Sequence, residues 1–153
     1  MTEVALLAPV PLEHLESGTG ICEREGKVAF GSRAWEVFRE LDTLRHGKPI
    51  PALIYASEPA SHDGPPVVAW RAQYIGHAEG KNGAHPAGMR FRPPTTGAYE
   101  SDNKGWWAVF WEVADLARVS KSEEILIKEL QSRSGAYYKP EFIPEGPIII
   151  AAP

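Results

Sequence analysis

Cysteine is almost missing from this 153-residue chain: Cys22 is the only one. An internal disulfide and a multi-cysteine zinc site are thereby excluded, and a reducing compartment fits. No apolar run approaches the roughly 20 residues that a membrane-spanning helix needs. The first residues lack a basic stretch followed by an apolar one, so no secretory signal is expected there, and a cytoplasmic location is. No nucleophile elbow, phosphate-binding glycine loop or GxGxxG element occurs. Repeats, low-complexity tracts and linker-like stretches are missing too, so residues 1–153 read as one domain, long enough to bury a core unaided. Positive charge is also scarce. Sixteen Lys and Arg face 20 Asp and Glu, for a net charge of −4. A protein that grips long nucleic acid by counterion release along the backbone needs the opposite balance. Recognition of a single base or nucleotide stays open.

What the chain does have is punctuation. Fourteen Pro and 14 Gly are scattered along it and cut it into short elements, which favours a sheet-rich fold with many turns. Val4 to Ala8 reads as a first strand, stopped by Pro9 and Pro11. Ser32 to Leu41 reads as a helix, with Ser32 able to cap its start and Trp35, Phe38 and Leu41 at helical spacing, joined by Val37 and Leu44. Ile50 to Ser57 reads as a strand bounded by Glu58-Pro59. Pro66 to Glu79 is the clearest strand: Val68, Trp70, Ala72, Tyr74 and Ala78 alternate with Arg71, Gln73, His77 and Glu79, and Gly76 marks a bulge or a close backbone approach. Gly80 to Gly105 reads as loop around a short strand at Met89 to Arg92. Trp106 to Leu116 reads as a strand. A second helix is expected after it, where Ser120 and Glu123 have capping-box spacing and Leu126, Ile127 and Leu130 supply an apolar side. Gly146 to Ala151 closes the chain as a strand. The order predicts an α+β fold: a small mixed or antiparallel sheet, curled or closed into a barrel, with two main flanking helices.

Three of the five tryptophans fall within the stretch GWWAVFW, at Trp106, Trp107 and Trp111. Both faces of that strand are apolar, so it is either covered on both sides or lines a cavity. Core packing is the simplest role for any one ring. A flat ring can also carry a stacked base, worth about 1–3 kcal/mol per base. The segment Val67 to Gly105 carries five cations against three acids, which leaves the rest of the chain at −6. An anionic ligand would be sought there first. His77, His85 and Asp102 match no metal-ligand spacing, and a solvated loop is the better reading of them. His62-Asp63 reads as a turn. Cys22 lies between charged segments that read as exposed. No metal and no cofactor are expected.

The succession of segments resembles the PUA-like superfamily, and within it the EVE and YTH branches. ALLAPVP is similar to the first strand of an EVE domain, SRAWEVFREL to its first helix, and PALIYAS to the strand ending in a Tyr-x-Ser-like element. VVAWRAQYIGHAE resembles the next strand, and WWAVFWEVADLARVS followed by a helix and GPIII resembles the closing part. The resemblance covers most of the chain as an order of elements. It implies a curled sheet with a pocket for a flipped or free base, often a methylated cytosine or adenine. Tyr55 and Ser57 match the strand-end element, Tyr55 to stack and Ser57 to bond a base edge. Trp70 and Trp106 are chosen from position and chemistry. Arg90 and Arg92, on the long loop, can hold phosphate or sugar. The expected function is a non-catalytic module binding a modified nucleobase in DNA or RNA. One alternative is a small amidohydrolase of acylated pyrimidine nucleosides, like the ASCH branch, using Lys81 or Lys104 with Glu79 or Glu112. Another is a protein-interaction domain with exposed aromatics. Neither the base, the modification nor the oligomeric state is fixed by the sequence.

Overall fold

The computed structural model describes residues 3–57 and 66–153. The expected turns at Glu58-Pro59 and His62-Asp63 lie outside them. The apolar run β1 (Val4–Val10) gives way at Pro11 to a helix, α1 (Leu12–Glu25). Gly26 ends α1 in the left-handed region, φ 84°, where a side chain would be strained, and its N–H closes on the Cys22 carbonyl. Then follow β2 (Val28–Ser32), α2 (Trp35–Leu44), β3 (Ile50–Ala56), β4 (Val67–Glu79) and β5 (Val109–Arg118). A two-residue strand, β6 (Ile125–Leu126), and β7 (Ile148–Ala151) complete the set. The strands form one mixed sheet in the order β2-β5-β4-β3-β1-β7, with β6 paired to the end of β4. Only β1 and β3 run parallel, and the crossover between them contains both helices.

The class is the expected one: α+β, a curled mixed sheet and two helices. The sheet does not close into a barrel, since β2 and β7 stand at its two ends. Two corrections concern the helices. Residues 120–130 form no α-helix. They hold a 3-10 turn at Lys121–Glu123, then β6, then a second 3-10 turn at Ile127–Glu129. Pairing Val67 with Leu126 and Val68 with Ile125 satisfies backbone groups on β4 and lays Ile127 and Leu130 over the sheet. The second helix is α1 instead. Its inward face is His14, Leu15, Gly18, Ile21 and Cys22, so Cys22 is buried rather than exposed. Gly18 faces β2, where an added β carbon would be in ordinary contact, 3.4 Å from Val28 and 3.6 Å from Phe30. In α2 the expected face holds in part: Phe38 and Leu41 are fully buried, with Phe38 stacked on Trp111 at 5.8 Å, and Val37 and Leu44 are partly buried, but Trp35, at the first helical position, is 45% exposed. Ser32 belongs to β2, and its hydroxyl accepts the Ala34 N–H.

Alternation along the central strands divides the core in two. Leu6, Ala8 and Val10 join Ile50, Ala52 and Ile54, with Trp111 and Val113, under the helices. Ala5, Leu7, Leu53 and Tyr55 face Ile127 and Leu130 on the opposite side. Period two breaks where β4 bulges. Register shifts opposite Ile54/Tyr55 put Val68 on the second face while Trp70 stays on the first. The expectation that both share a face fails for that reason. Gly76, φ 140°, sits at another shift, and a β carbon there would lie 3.1 Å from the Arg45 guanidinium. Met89 to Arg92 is turn rather than strand, although the Phe91 carbonyl accepts the Ala29 N–H at 2.7 Å.

Candidate functional site

A cleft of about 560 Å³ opens where the end of β1, the first turn of α1, the middle of β2 and the loop 92–107 converge. Pro9 and Pro11 bring the chain from sheet to helix at its edge. Phe30 and Gly31 come from β2, and Trp107, Tyr99 and Asp102 come from the loop. Three positions in sequence, near 10, 30 and 100, are thus gathered by tertiary structure alone.

Trp107 is half-buried and lies directly against Gly31. A β carbon at Gly31 would fall 2.3 Å from Trp107 Cδ1, so only glycine leaves room for the indole. The indole N–H donates to Asp102 Oδ1 at 3.0 Å. The ring is therefore held at both its face and its edge. Asp102 Oδ2 stands 3.8 Å from His14 Nε2. His14 Nδ1 lies 2.6 Å from Thr95 Oγ1, which also meets Ser17 Oγ at 2.8 Å and donates to the Glu13 carbonyl. Tyr99 packs edge-on to His14 at 5.7 Å, and its hydroxyl donates to the Glu13 carboxylate.

Arg92 forms the floor. It is 1% exposed, yet every arm of its guanidinium is engaged: Nε donates to Asn103 Oδ1, Nη1 to the Ala29 carbonyl and Nη2 to the Asp102 carbonyl. The Asp102 carboxylate is 3.6 Å away and the Phe110 ring lies beneath at 4.9 Å. Burial pulls its pKa down to about 10, with Asp102 opposing, so it stays charged at neutral pH. Its work is to tie the loop to β2.

The sequence-selected residues are dispersed. Ser57 and Arg92 line the cleft. Tyr55 is buried on the opposite face of the sheet, where its hydroxyl donates to the Pro144 carbonyl at 2.9 Å and burial pushes its pKa up to about 12. Trp70 is core, with Arg118 over its ring at 5.9 Å. Trp106 is half-exposed under Arg33, 4.8 Å from the guanidinium carbon, but is not among the cleft residues. Arg90 is on the surface, paired with Glu25 at 2.8 Å. The tryptophan that reaches the cleft is Trp107. His14 and Tyr99 were not selected, because the contacts that join α1 to the loop span some 80 residues of sequence, and Asp102 read as part of a solvated loop although Trp107 and Arg92 are near it in sequence; the GWW doublet was the one local signal.

The other polar groups are occupied elsewhere. His85 is buried rather than in a solvated loop. Its Nδ1 accepts the Ala87 N–H and its Nε2 meets Glu112 at 2.9 Å, while Lys27 meets the other Glu112 oxygen at 3.1 Å. Burial raises the Glu112 pKa, but the bonds from His85 and Lys27 outweigh it and hold the carboxyl below its usual value. His77 pairs with Asp42, which also accepts from Tyr74 and Arg45. Lys104 reaches Glu100 on the surface, so neither it nor Lys81 forms a pocket pair with Glu79 or Glu112. Among the described residues, no group of three or more His, Cys, Asp or Glu is placed to hold a metal ion, and no helix is long and apolar enough to cross a membrane. No protein-family model matches the chain, and no curated protein matches it.

Proposed function

We propose that the chain is a non-catalytic module that binds a modified nucleobase, as a nucleoside or in DNA or RNA, in this cleft. The observation that carries the reading is Trp107, an indole fixed by Gly31 and Asp102 on the wall of a cavity that also holds Phe30 and Tyr99. Aromatic walls with a few convergent polar groups are the composition of small-ligand sites, and the volume falls within their usual range of roughly 300–1,000 Å³. A preset ring costs no ordering when a base stacks on it. Ser57 and the Asp102 carboxylate supply hydrogen-bonding groups for a base edge. Flipping a base from a duplex costs a few kcal/mol, which one stack and two or three such bonds offset. The reading also keeps the module in the cytoplasm, where a buried free thiol such as Cys22 stays reduced.

The test is a fluorescence titration with nucleosides and short single-stranded oligonucleotides, unmodified and methylated. Saturable quenching is expected in the parent, and the affinity, measured by calorimetry in the variant that lacks this fluorophore, should weaken by roughly tenfold or more in Trp107→Ala, within the range of a lost stack. Ser57→Ala should change the preference among bases. A flat response to every compound removes the reading.

A further inference from the structure

We infer that the base this cleft prefers is a positively charged one, methylated on a ring nitrogen, over a neutral base methylated on carbon or on an exocyclic amine. The inference rests on the base-binding reading above and sharpens its ligand. Its ground is the charge of the cavity. The carboxylates of Glu13, Asp102 and Glu145 line it, against one guanidinium, Arg92. That guanidinium is committed to Ala29, Asn103 and Asp102 and presents no donor set to a ligand. Among the described residues no lysine lines the cavity, and the lining stays negative whether His14 is neutral or protonated. The first turn of α1 brings about half a positive charge to the rim, and Glu13, within that turn, already answers it.

Aromatic walls add to this polarity. Ring faces carry negative potential and attract cations, most strongly when the pair is desolvated. A heterocycle with a delocalised positive charge meets both fields at once: it stacks on the indole, and its charge faces carboxylates. A neutral isomer of the same size receives the stack alone. A phosphate is repelled by every carboxylate near it, so in a nucleotide or strand it stays outside the cavity. The placement of Arg90 on the surface with Glu25, and of Arg92 in the floor, leaves the expected phosphate grip without its residues.

Isomer pairs separate charge from shape. Calorimetry near neutral pH would compare 3-methylcytidine with 5-methylcytidine, and 1-methyladenosine with N6-methyladenosine. The first of each pair is cationic there. The cationic isomer should bind roughly tenfold tighter in each pair, and the double variant Glu13→Gln, Glu145→Gln should cut that preference to about threefold or less. Glu145 is exposed and Glu13 half-buried, so the variant should stay folded, with a modestly lower melting point because Glu13 faces the helix end and accepts the Tyr99 bond; a thermal scan checks this, and Glu145→Gln alone should melt like the parent. Equal binding within both pairs overturns the charge preference and leaves base binding standing. Binding of none of the four overturns the base reading itself. Competition by tetramethylammonium as effective as by 1-methyladenosine would mean that any methylated cation is taken, such as a modified lysine of a protein partner, and the preference for a base would fall.

Discussion

Gly31 and Trp107 act as one unit. The space that a β carbon would occupy is filled by the indole. Gly31→Ala is expected to cost about 1–3 kcal/mol, the usual penalty of overpacking, and to expel Trp107 from its bond with Asp102. Chemical denaturation measures the first effect, and the position of the tryptophan emission maximum reports the second. An unshifted spectrum with full stability would mean that the indole relaxes in place. Tyr55 tests burial on the other face. Its phenol is kept neutral in the folded chain, pKa about 12 against 10 when unfolded. A raised value means that its contribution is complete below pH 10 and is lost as pH rises toward 12, since only the unfolded chain releases the proton in that window. Tyr55→Phe should cost about 0.5–1.5 kcal/mol near neutral pH through the Pro144 bond. The gap should narrow between pH 10 and 12 in paired urea melts, and a constant gap would refute the assignment.

At the scale of elements, strands proved more readable than helices. Residues 66–79 announced β4 through an alternation interrupted at Gly76, and residues 50–57 announced β3 through a continuous apolar run between breakers. Both signals are local. The face exchange at Val68 was not, because a bulge is set by how β3 and β4 pair. α1 escaped notice for a different reason. Its inner face uses His14 and two small residues, Gly18 and Cys22, which count as apolar only when the sheet beneath is known to press close. At 120–130, Ser and Glu at capping spacing do meet, Ser120 Oγ to Glu123 Oε1 at 2.8 Å, but as a side-chain pair on a 3-10 turn. β2 and β5 are joined further by Lys27–Glu112–His85. Because the Glu112 pKa is lowered, this cluster contributes fully above the ordinary carboxyl value of 4.5 and fades as pH falls through the lower folded value. Glu112→Gln should destabilise by about 1–3 kcal/mol at pH 7, with the loss shrinking below pH 4.5. Melting curves of both proteins from pH 7 to 3 decide this; a loss independent of pH would contradict the charge assignment.

For the molecule as a whole, binding in the cleft should appear as stability. A ligand at about 100 times its Kd adds roughly 2.7 kcal/mol to a chain that binds it only when folded. The melting point should rise with each compound that quenches fluorescence, in the same rank order, and disagreement between the two ranks would place the quenching elsewhere. The site's composition explains why the sequence disclosed only part of it: Ser57 and Arg92 fell within recognisable segments, whereas His14 and Trp107 meet only after the sheet has folded round. Strands β1 and β2 supply opposite walls although β5, β4 and β3 lie between them in the hydrogen-bonded order. The cleft thus joins two strands that stand four pairing steps apart in the curled sheet. A twist of about 20–25° at each step is usual, so a small change shared over the four steps moves these two walls relative to each other. A guest lodged there braces all four steps, and backbone amides in β4 and β5, which do not line the cleft, should exchange more slowly with solvent deuterium when it is present.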